Sequence, residues 1–378
     1  MNYKPIFCFL LLIFSIDLNA QIDSILSRIT FEMDYRFRVE QDWNSVKSDG
    51  TLRDNRSRLR YRLRTGATYE KNWYAFGLRI RTGDPNKQQD PQLTLGKGLK
   101  EFGTLPIGFE KAFFQIEKKT FKAWFGKNTY PFEKNNELFW SDNVFPEGIM
   151  VQKQINLQSN FLNKIKLTAG HFIIASNNTS FFDDAYFQGL QTSLISTGER
   201  VKVFPSIYFL RNIPDIPDGS HSFLLNYTIM HFGTKIKPLK DKLLRVKFDY
   251  YHNIENYAQN NNILSSLVDQ KSGYTLGLQY GKKGTKSDWF FKVTYGNLER
   301  YSVLDYMAQN DWARWDYSSF NSPDGRLSNF QGAEFVVAYS LTDKITLVSK
   351  YYIVEQLIPY GTSKETGQRI RFDIDIKI

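Results

Sequence analysis

The chain has 378 residues, of which 42% are hydrophobic and 23% are charged, and its formal net charge is +10. Its mean hydropathy is -0.43, and no stretch beyond the N-terminal segment approaches the roughly 18 uncharged apolar residues of a membrane-spanning helix. The single cysteine, Cys8, excludes a disulfide framework. The charge alone does not distinguish between a nucleic acid, an anionic surface and an anionic solute as partner.

The N-terminal segment, residues 1–20, has the pattern of a secretory signal peptide. Lys4 precedes an apolar run at residues 6–16, and the small residue Ala20 closes the segment. The run is shorter than a spanning helix, so a removable signal is the expected interpretation and a membrane anchor is the alternative. We therefore expect a secreted mature chain, residues 21–378, that forms a single domain.

Apolar and polar side chains alternate along most of the mature chain. In residues 29–41, ITFEMDYRFRVEQ, the apolar residues Phe31, Met33 and Val39 share one face and the charged residues share the other. A period of two is that of a β-strand. The pattern recurs in segments 58–69, 74–81, 111–117, 225–229, 244–250, 273–280, 289–295 and 367–378. Segment 149–157 carries Lys153 on its apolar face, and segments 188–194, 201–209 and 331–339 fit either phase.

The connections between these segments alternate in length. Short ones fall at 70–72, 118–120, 158–162, 196–199, 281–286 and 341–344, with one of intermediate length at 233–241. Long ones fall at 42–55, 82–109, 127–147, 176–184, 212–220, 253–271, 298–327 and 355–366. Bacterial membrane barrels alternate short periplasmic turns with long external loops in this way. The count predicts about sixteen strands, an even number that leaves both chain ends on the periplasmic side.

These patterns predict an all-β fold, a transmembrane antiparallel up-and-down β-barrel. Its apolar stripes, Leu225, Tyr227 and Ile229 among them, would face outer-membrane lipid and lipopolysaccharide, and its polar faces would surround water. A soluble secreted β-sandwich is the alternative, because it also alternates apolar and polar residues. At this length a sandwich would need two or more domains with linkers, and the sequence has no Pro/Ser/Gly-rich linker.

A row of arginines is the densest chemical feature of the sequence. It comprises Arg58, Arg60, Arg62 and Arg64 on one segment, Arg36 and Arg38 on the segment before, and Arg79 and Arg81 on the segment after. The acidic residues Glu32, Asp34 and Glu40 fall on the same face. Two interpretations have equal weight: a basic pore wall that favours anions, and ion-pair ladders that stabilise neighbouring strands.

The long connection at residues 127–147 is a candidate constriction loop. It contains Glu133, Glu137, Trp140 and Asp142, and it follows the fifth predicted strand. Folded into the barrel, it would narrow the channel and set its carboxylates against the arginines. An ordinary external cap is the alternative.

The connection at residues 298–327 is rich in aromatic residues: Tyr301, Tyr306, Trp312, Trp315, Tyr317 and Phe320. Such residues can stack on sugars or pack the loop onto itself. Packing within the protein is the favoured interpretation.

Three loop motifs carry a family resemblance: RTGDPN at residues 81–86, TLG at 94–96 and FWSDNVFPEG at 139–148. With the signal segment, they are similar to the outer-membrane porins of Bacteroidota. The resemblance implies a monomeric or homotrimeric diffusion pore for small hydrophilic solutes. The final segment, IRFDIDIKI, resembles the signal read by the barrel-assembly machinery, although it ends in Ile378 where an aromatic residue is usual.

Other classes of function are less well supported. A porin specific for phosphate, an organic anion or an oligosaccharide remains open, and so does an outer-membrane barrel enzyme. An enzyme would need a histidine placed beside a nucleophile, and His171, His221, His231 and His252 form no recognisable constellation. Nucleic-acid binding is disfavoured because the arginines alternate with lipid-type residues and secretion removes the partner. No cofactor or metal is predicted.

Overall fold

The computed structural model describes residues 26–89, 91–96, 102–177, 179–180, 182–218, 221–239, 243–305, 307–312 and 328–378. The expected signal peptide, residues 1–20, lies outside these ranges, as do Tyr306, Trp315, Tyr317 and Phe320. In the described part of the chain, no helix is long and apolar enough to cross a membrane.

In the described residues, seventeen strands form one sheet. Their bounds are β1 Ile29–Trp43, β2 Arg56–Lys71, β3 Tyr74–Thr82, β4 Leu93–Thr94, β5 Ile107–Lys118, β6 Phe121–Lys127, β7 Glu147–Asn156, β8 Leu162–Ala175, β9 Ala185–Ser196, β10 Val201–Asp218, β11 His221–Ile236, β12 Arg245–Asn253, β13 Ser272–Gly281, β14 Trp289–Leu298, β15 Phe330–Ser340, β16 Ile345–Gln356 and β17 Thr366–Lys377. A single turn of 3-10 helix, Thr197–Glu199, connects β9 to β10.

The sheet closes on itself. Apart from β4, each strand pairs antiparallel with the next one along the chain, β3 with β5 among them, and β1 pairs with both β2 and β17. The two-residue β4 pairs with β2 at Arg60 and Tyr61, beyond the point where β3 ends, and takes the place of β3 there. The barrel wall therefore has sixteen strands. Closure gives every strand two hydrogen-bonded neighbours, which a lipid environment requires because it offers no water to unpaired backbone groups. The predicted sixteen-stranded antiparallel barrel is confirmed.

The barrel has a short-turn end and a long-loop end. Both described chain ends lie at the short-turn end, where the backbone N–H of Ile378 donates to the carbonyl of Met33 at 2.9 Å. One predicted long loop is wrong: residues 212–218 continue β10. Two bulges accommodate the extra residues, and Asn212 and Asp215 adopt left-handed φ angles of 54° there. The bulges interrupt the alternation of apolar and polar residues in the sequence, although Ile213 remains buried inside the barrel.

The outer face carries the apolar stripes over most of the barrel. Exposed apolar residues on it include Phe31, Val39, Leu59, Leu276, Leu278, Phe291, Phe372 and Ile374. The predicted phase is wrong in β11, because Leu225, Tyr227 and Ile229 are buried inside and Leu224, Met230 and Phe232 face outward. This strand has apolar residues on both faces, since its inner face packs against loops that fold into the barrel.

Leu276 tests which medium surrounds the wall, because it lies near the middle of β13 and is 48% exposed on the outer face. We expect Leu276→Arg to lower the free energy of unfolding in lipid vesicles by about 2–4 kcal/mol, because it places a charge in the hydrocarbon. Leu276→Met is the matched control and should cost less than about 1.5 kcal/mol. Denaturant titration in vesicles measures both, and equal stabilities would mean that this face does not lie in lipid.

Candidate functional site

Basic side chains line the inner wall where the first and last strands meet. β1 runs between β17 and β2, and alternate residues of each strand point into the barrel. The register sets Arg38 opposite Arg60 on β2 and Glu40 opposite Arg371 on β17. We define the arginine wall as the inward-facing arginines of these three strands: Arg36, Arg38, Arg58, Arg60, Arg62, Arg64, Arg369 and Arg371.

Carboxylates neutralise part of the arginine wall. The buried Glu40 carboxylate accepts hydrogen bonds from Arg371 Nε at 2.5 Å and Arg58 Nε at 2.9 Å. Arg38 Nε donates to Asp373 at 2.6 Å. Further ion pairs join Arg36 to Asp375, Arg62 to Asp34, Arg64 to Glu110 and Arg369 to Asp42. These pairs cross-link neighbouring strands, which is the geometry of an ion-pair ladder.

The arginine wall still borders a cavity with a surplus of positive charge. The cavity has a volume of about 270 Å³, and we call it the basic chamber. Eleven of its lining residues are basic, namely the eight arginines of the wall with Lys283, Lys350 and Lys377. Five are acidic: Asp34, Glu137, Asp142, Asp311 and Asp375. A water-filled space with this lining raises the local concentration of anions.

A second cavity of about 380 Å³ adjoins the basic chamber. The two share the lining residues Glu137, Asp142, Lys283, Asp311, Val348 and Lys350. The lining of this second chamber is balanced, with four basic residues (Lys134, Lys283, Lys292, Lys350) and four acidic ones (Glu137, Asp142, Asp311, Glu334). The surplus of positive charge therefore belongs to the basic chamber.

Arg79, Arg81 and Glu32 do not line the basic chamber. Arg79 Nε lies 2.8 Å from the buried Glu110 carboxylate, and Glu32 lies 3.5 Å from another nitrogen of Arg79. The Arg81 guanidinium donates to the carbonyl of Lys87 at 2.9 Å, and so holds the loop after β3 in place. The two arginines thus have contacts of their own at the edge of the wall.

Residues 128–146, which connect β6 to β7, fold into the barrel, and we call them the first inner loop. Asp249 on β12 is fully buried and holds this loop. Its carboxylate accepts hydrogen bonds from four side chains at 2.9–3.0 Å: Asn135 and Asn136 of the loop, and His231 and Thr275 of the barrel wall. We call these five residues the Asp249 latch. Three strands, β11 to β13, therefore anchor the middle of the loop.

The predicted loop residues have different surroundings. Glu133 forms ion pairs with Lys202 at 2.8 Å and Lys235 at 3.2 Å on the wall. The Trp140 ring is buried and stacks on Tyr130 with 4.6 Å between ring centroids. Of the four residues predicted for the constriction, only Glu137 and Asp142 line the two chambers.

Glu137 and Asp142 lie close together on the first inner loop. The Glu137 carboxylate accepts a hydrogen bond from the Asp142 backbone N–H at 2.7 Å, and Lys134 Nζ lies 2.5 Å from the Asp142 carboxylate. Burial raises the pKa of Glu137, and the neighbouring Asp142 carboxylate raises it further. Burial would also raise the pKa of Asp142, but the Lys134 ammonium lowers it below its ordinary value. Glu137 is therefore the first of the two to take up a proton as the pH falls.

A hydrophobic core fills the barrel interior behind the first inner loop. The inner faces of β8 to β12 contribute Phe172, Phe187, Tyr208, Tyr227 and Tyr251 to it, and the loop contributes Leu138, Phe139 and Trp140. The Phe139 ring stacks between Tyr208 at 4.9 Å and Tyr251 at 5.2 Å. Packed side chains thus occupy this side of the interior, and the two chambers lie on the side of the arginine wall.

The described part of residues 299–312 also folds inward, and we call it the second inner loop. The backbone N–H of Ser141 donates to the Met307 carbonyl at 2.8 Å, and that of Gln309 donates to the Glu137 carbonyl at 3.0 Å. Tyr301 and Trp312 are buried in the interior core. The two inner loops therefore brace each other, and these aromatic side chains are not available to a sugar.

The sequence-based site missed Arg369, Arg371, Lys350, Lys283 and Asp311. Arg369 and Arg371 alternate with apolar residues in the last predicted strand, and barrel closure sets them opposite Asp42 and Glu40 of β1, on the face that also carries Arg36 and Arg38. Barrel closure was therefore sufficient to predict these two arginines from the sequence. Lys283 lies in a short turn, and Asp311 lies in a loop without a period, so no pattern pointed to either of them.

This architecture resembles that of porins, which are channel-forming β-barrels of the outer membrane. Lipid-type side chains cover the outside of a closed sixteen-stranded barrel, and polar chambers narrowed by inward-folded loops lie inside. Residues 40–222 match the model of a family described as "Putative porin". The similarity to porins inferred from the sequence is confirmed, whereas the restriction to Bacteroidota stays a prediction.

One solved structure supports the same fold. OprB of Pseudomonas putida has a TM-score of 0.54 at 12% identity, with 96% of this chain and 97% of that chain covered. A triple mutant of the Rhodopseudomonas blastica porin has a TM-score of 0.49 at 10% identity, with 92% and 100% covered. The comparison with curated proteins gave no match. At these identities the likeness to OprB supports the fold alone.

The Asp249 latch can be tested with Asp249→Ala. We expect this variant to loosen the first inner loop, because Asn135 and Asn136 each lose one acceptor, the buried donors of His231 and Thr275 lose theirs, and an unsatisfied buried donor costs about 1–3 kcal/mol. Single-channel records in planar bilayers should then show a larger and noisier conductance than wild type. Asp183→Ala, in an exposed stretch of the long-loop end, is the control and should conduct like wild type. A quiet Asp249→Ala channel of wild-type conductance would show that the latch does not hold the loop.

Proposed function

We propose that this protein is a passive diffusion channel whose water-filled path runs through the basic chamber and favours small hydrophilic anions. One observation carries the proposal: eleven basic residues and five acidic ones line that chamber. Charged side chains on a low-dielectric wall concentrate the field in the water between them, so anions gather there and cations are depleted.

In this proposal the arginine row has both roles expected from the sequence, that of an ion-pair ladder and that of a basic pore wall. Carboxylates such as Glu40 and Asp373 fix the guanidiniums in place through the ion pairs of the ladder. Glu40, Asp42, Glu110 and Asp373 pair with arginines of the wall without lining the chamber, so eleven basic residues face nine carboxylates and the surplus of two gives the chamber its positive field. The wall is therefore both a structural cross-link and an anion filter. Glu137 and Asp142, which the first inner loop contributes, moderate the field at the border with the second chamber.

An organic-anion-specific porin is the second candidate. The observation that favours it is the Asp311 carboxylate, which lies 2.5 Å from Arg371 in the basic chamber. The arginine wall thus already binds a carboxylate that the protein itself supplies. Guanidinium groups match the planar geometry of carboxylates, so this wall is suited to such solutes.

Targeting and assembly form part of the same proposal. We propose that residues 1–20 are removed on secretion and that residues 21–378 enter the outer membrane as one barrel through the assembly machinery. We also propose a homotrimer. A groove of about 510 Å³ on the outer face of β2 to β6 suits side chains of a second copy, because small residues form its floor: Ala67, Gly77, Ala112 and Gly126.

Arg60 provides the test of the anion filter. We expect Arg60→Gln to lower the permeability ratio of chloride to potassium by about fivefold, because one unit charge at roughly 8 Å in water changes the local population of each ion by about twofold, in opposite directions. Zero-current potentials in a KCl gradient across a planar bilayer measure this ratio. Arg60→Lys keeps the charge and should keep the ratio, and so should Arg200→Gln in an exposed turn at the short-turn end. A wild-type preference for potassium would reject the proposal.

The raised pKa of Glu137 predicts a pH dependence. Because its pKa is raised, Glu137 gains more protonation between pH 7 and pH 5 than carboxyls whose pKa is not raised, and the chamber gains net positive charge. The preference for chloride should therefore increase at low pH in wild type. Glu137→Gln should have the higher preference already at pH 7 and change less between the two values. An equal change in wild type and Glu137→Gln would show that another group is responsible.

A further inference from the structure

The second inner loop ends on the arginine wall. Arg371 Nη1 lies 2.5 Å from the Asp311 carboxylate, and Arg369 Nη1 donates to the Asp311 backbone carbonyl at 2.7 Å. The Asp311 side chain is 21% exposed and lines both chambers. Asp311 therefore lies where the two chambers join, with its carboxylate on a guanidinium of the path.

Contacts that do not involve the arginines hold Asp311 in this position. Gln89 Nε2 donates to the Ala308 carbonyl at 2.5 Å, and the Gln309 backbone N–H donates to the first inner loop. The Gln309 side chain accepts a hydrogen bond from the Asp311 backbone N–H. On the other side, the Trp312 ring packs on Phe330 with 5.5 Å between ring centroids. Separation of the carboxylate from Arg371 thus does not require the loop to move.

The charges around Asp311 keep it ionised. Burial alone would raise the pKa of Asp311, but the guanidiniums of Arg371 and Arg38 lower it well below its ordinary value. Arg371 retains a second carboxylate partner, because its Nε donates to Glu40 at 2.5 Å. A solute carboxylate that approaches Nη1 of Arg371 meets a position that Asp311 already occupies.

We propose that Asp311 is a specificity-determining residue, a built-in carboxylate that competes with permeating organic acids for Arg371 and lowers the anion preference of the path. The inference rests on the proposed anion channel and names its solute class as carboxylates. A solute with a carboxylate takes over the contact with Arg371, passes the junction of the two chambers and returns Arg371 to Asp311. No bond is made or broken, and the protein only exchanges one ion pair for another.

The test compares wild type with Asp311→Asn, Asp311→Ser and Asp311→Glu in planar bilayers. The first measurement is the zero-current potential in a KCl gradient. We expect Asp311→Asn and Asp311→Ser to raise the chloride-to-potassium permeability ratio by about fivefold, because each variant removes one negative charge within roughly 8 Å of the path. Asp311→Glu keeps the charge and should resemble wild type. Asp49→Asn removes a charge from the exposed loop after β1 and should leave the ratio unchanged.

The second measurement is the succinate concentration that halves the chloride current. Removal of the competing carboxylate should lower this concentration several-fold in Asp311→Asn and Asp311→Ser, and leave it unchanged in Asp311→Glu. Heat-modifiable migration in detergent gels verifies that each variant is folded. Asp311→Asn and Asp311→Ser could instead increase the conductance for both ions and leave the permeability ratio, or the succinate concentration that halves the current, as in wild type. In that case Asp311 is only a tether of the loop, and the proposal is overturned.

These measurements distinguish failure of the role proposed for Asp311 from failure of the proposed anion channel. A wild-type channel that prefers potassium would reject the anion channel whatever the variants do. A wild-type channel that prefers chloride, together with Asp311 variants that behave like wild type, would retain the anion channel and reject only the role of Asp311.

Discussion

The backbone hydrogen bonds of a membrane sheet constrain everything else in this protein. Lipid offers no partner to an unpaired N–H or C=O group, so a sheet in a membrane must close. Closure here pairs β1 with both β2 and β17. It therefore brings arginines from the two ends of the chain together, with Arg36 and Arg38 on β1 and Arg369 and Arg371 on β17. A feature of the backbone thus creates the charged wall on which the proposed selectivity depends.

The interior is divided between two kinds of packing. On one side, aromatic side chains such as Phe187 and Tyr208 form a hydrophobic core with the first inner loop. On the other side, charged side chains line two adjoining chambers. The Asp249 latch and the hydrogen bonds between the two inner loops hold the boundary between these regions. Because the loops are anchored at both the wall and each other, the position of Glu137, Asp142 and Asp311 follows from the packing of the core.

The sequence predicted the barrel well, because one physical rule acts on every strand that meets lipid on one face and water on the other. Segments such as 273–280 follow this rule, and the structure confirms them. The rule does not hold in β11, where FLLNYTIMHF is apolar on both faces because loops pack against its inner face. A single period therefore cannot assign the phase of that strand. Arg371 could have been inferred from closure, but Asp311 depends on how a loop without a period folds, which local pattern does not encode.

In the proposed channel, water follows the arginine wall, and the opposite side of the interior is dry. The only cysteine, Cys8, lies in the expected signal peptide, so a single introduced thiol can report on one position. The direct measurement is channel current during exposure to a charged, membrane-impermeant thiol reagent, for Lys350→Cys in the basic chamber and Leu225→Cys in the core. We expect the reagent to change the current of Lys350→Cys and to leave the current of Leu225→Cys unchanged. Modification of Leu225→Cys with no effect on Lys350→Cys would contradict this expectation.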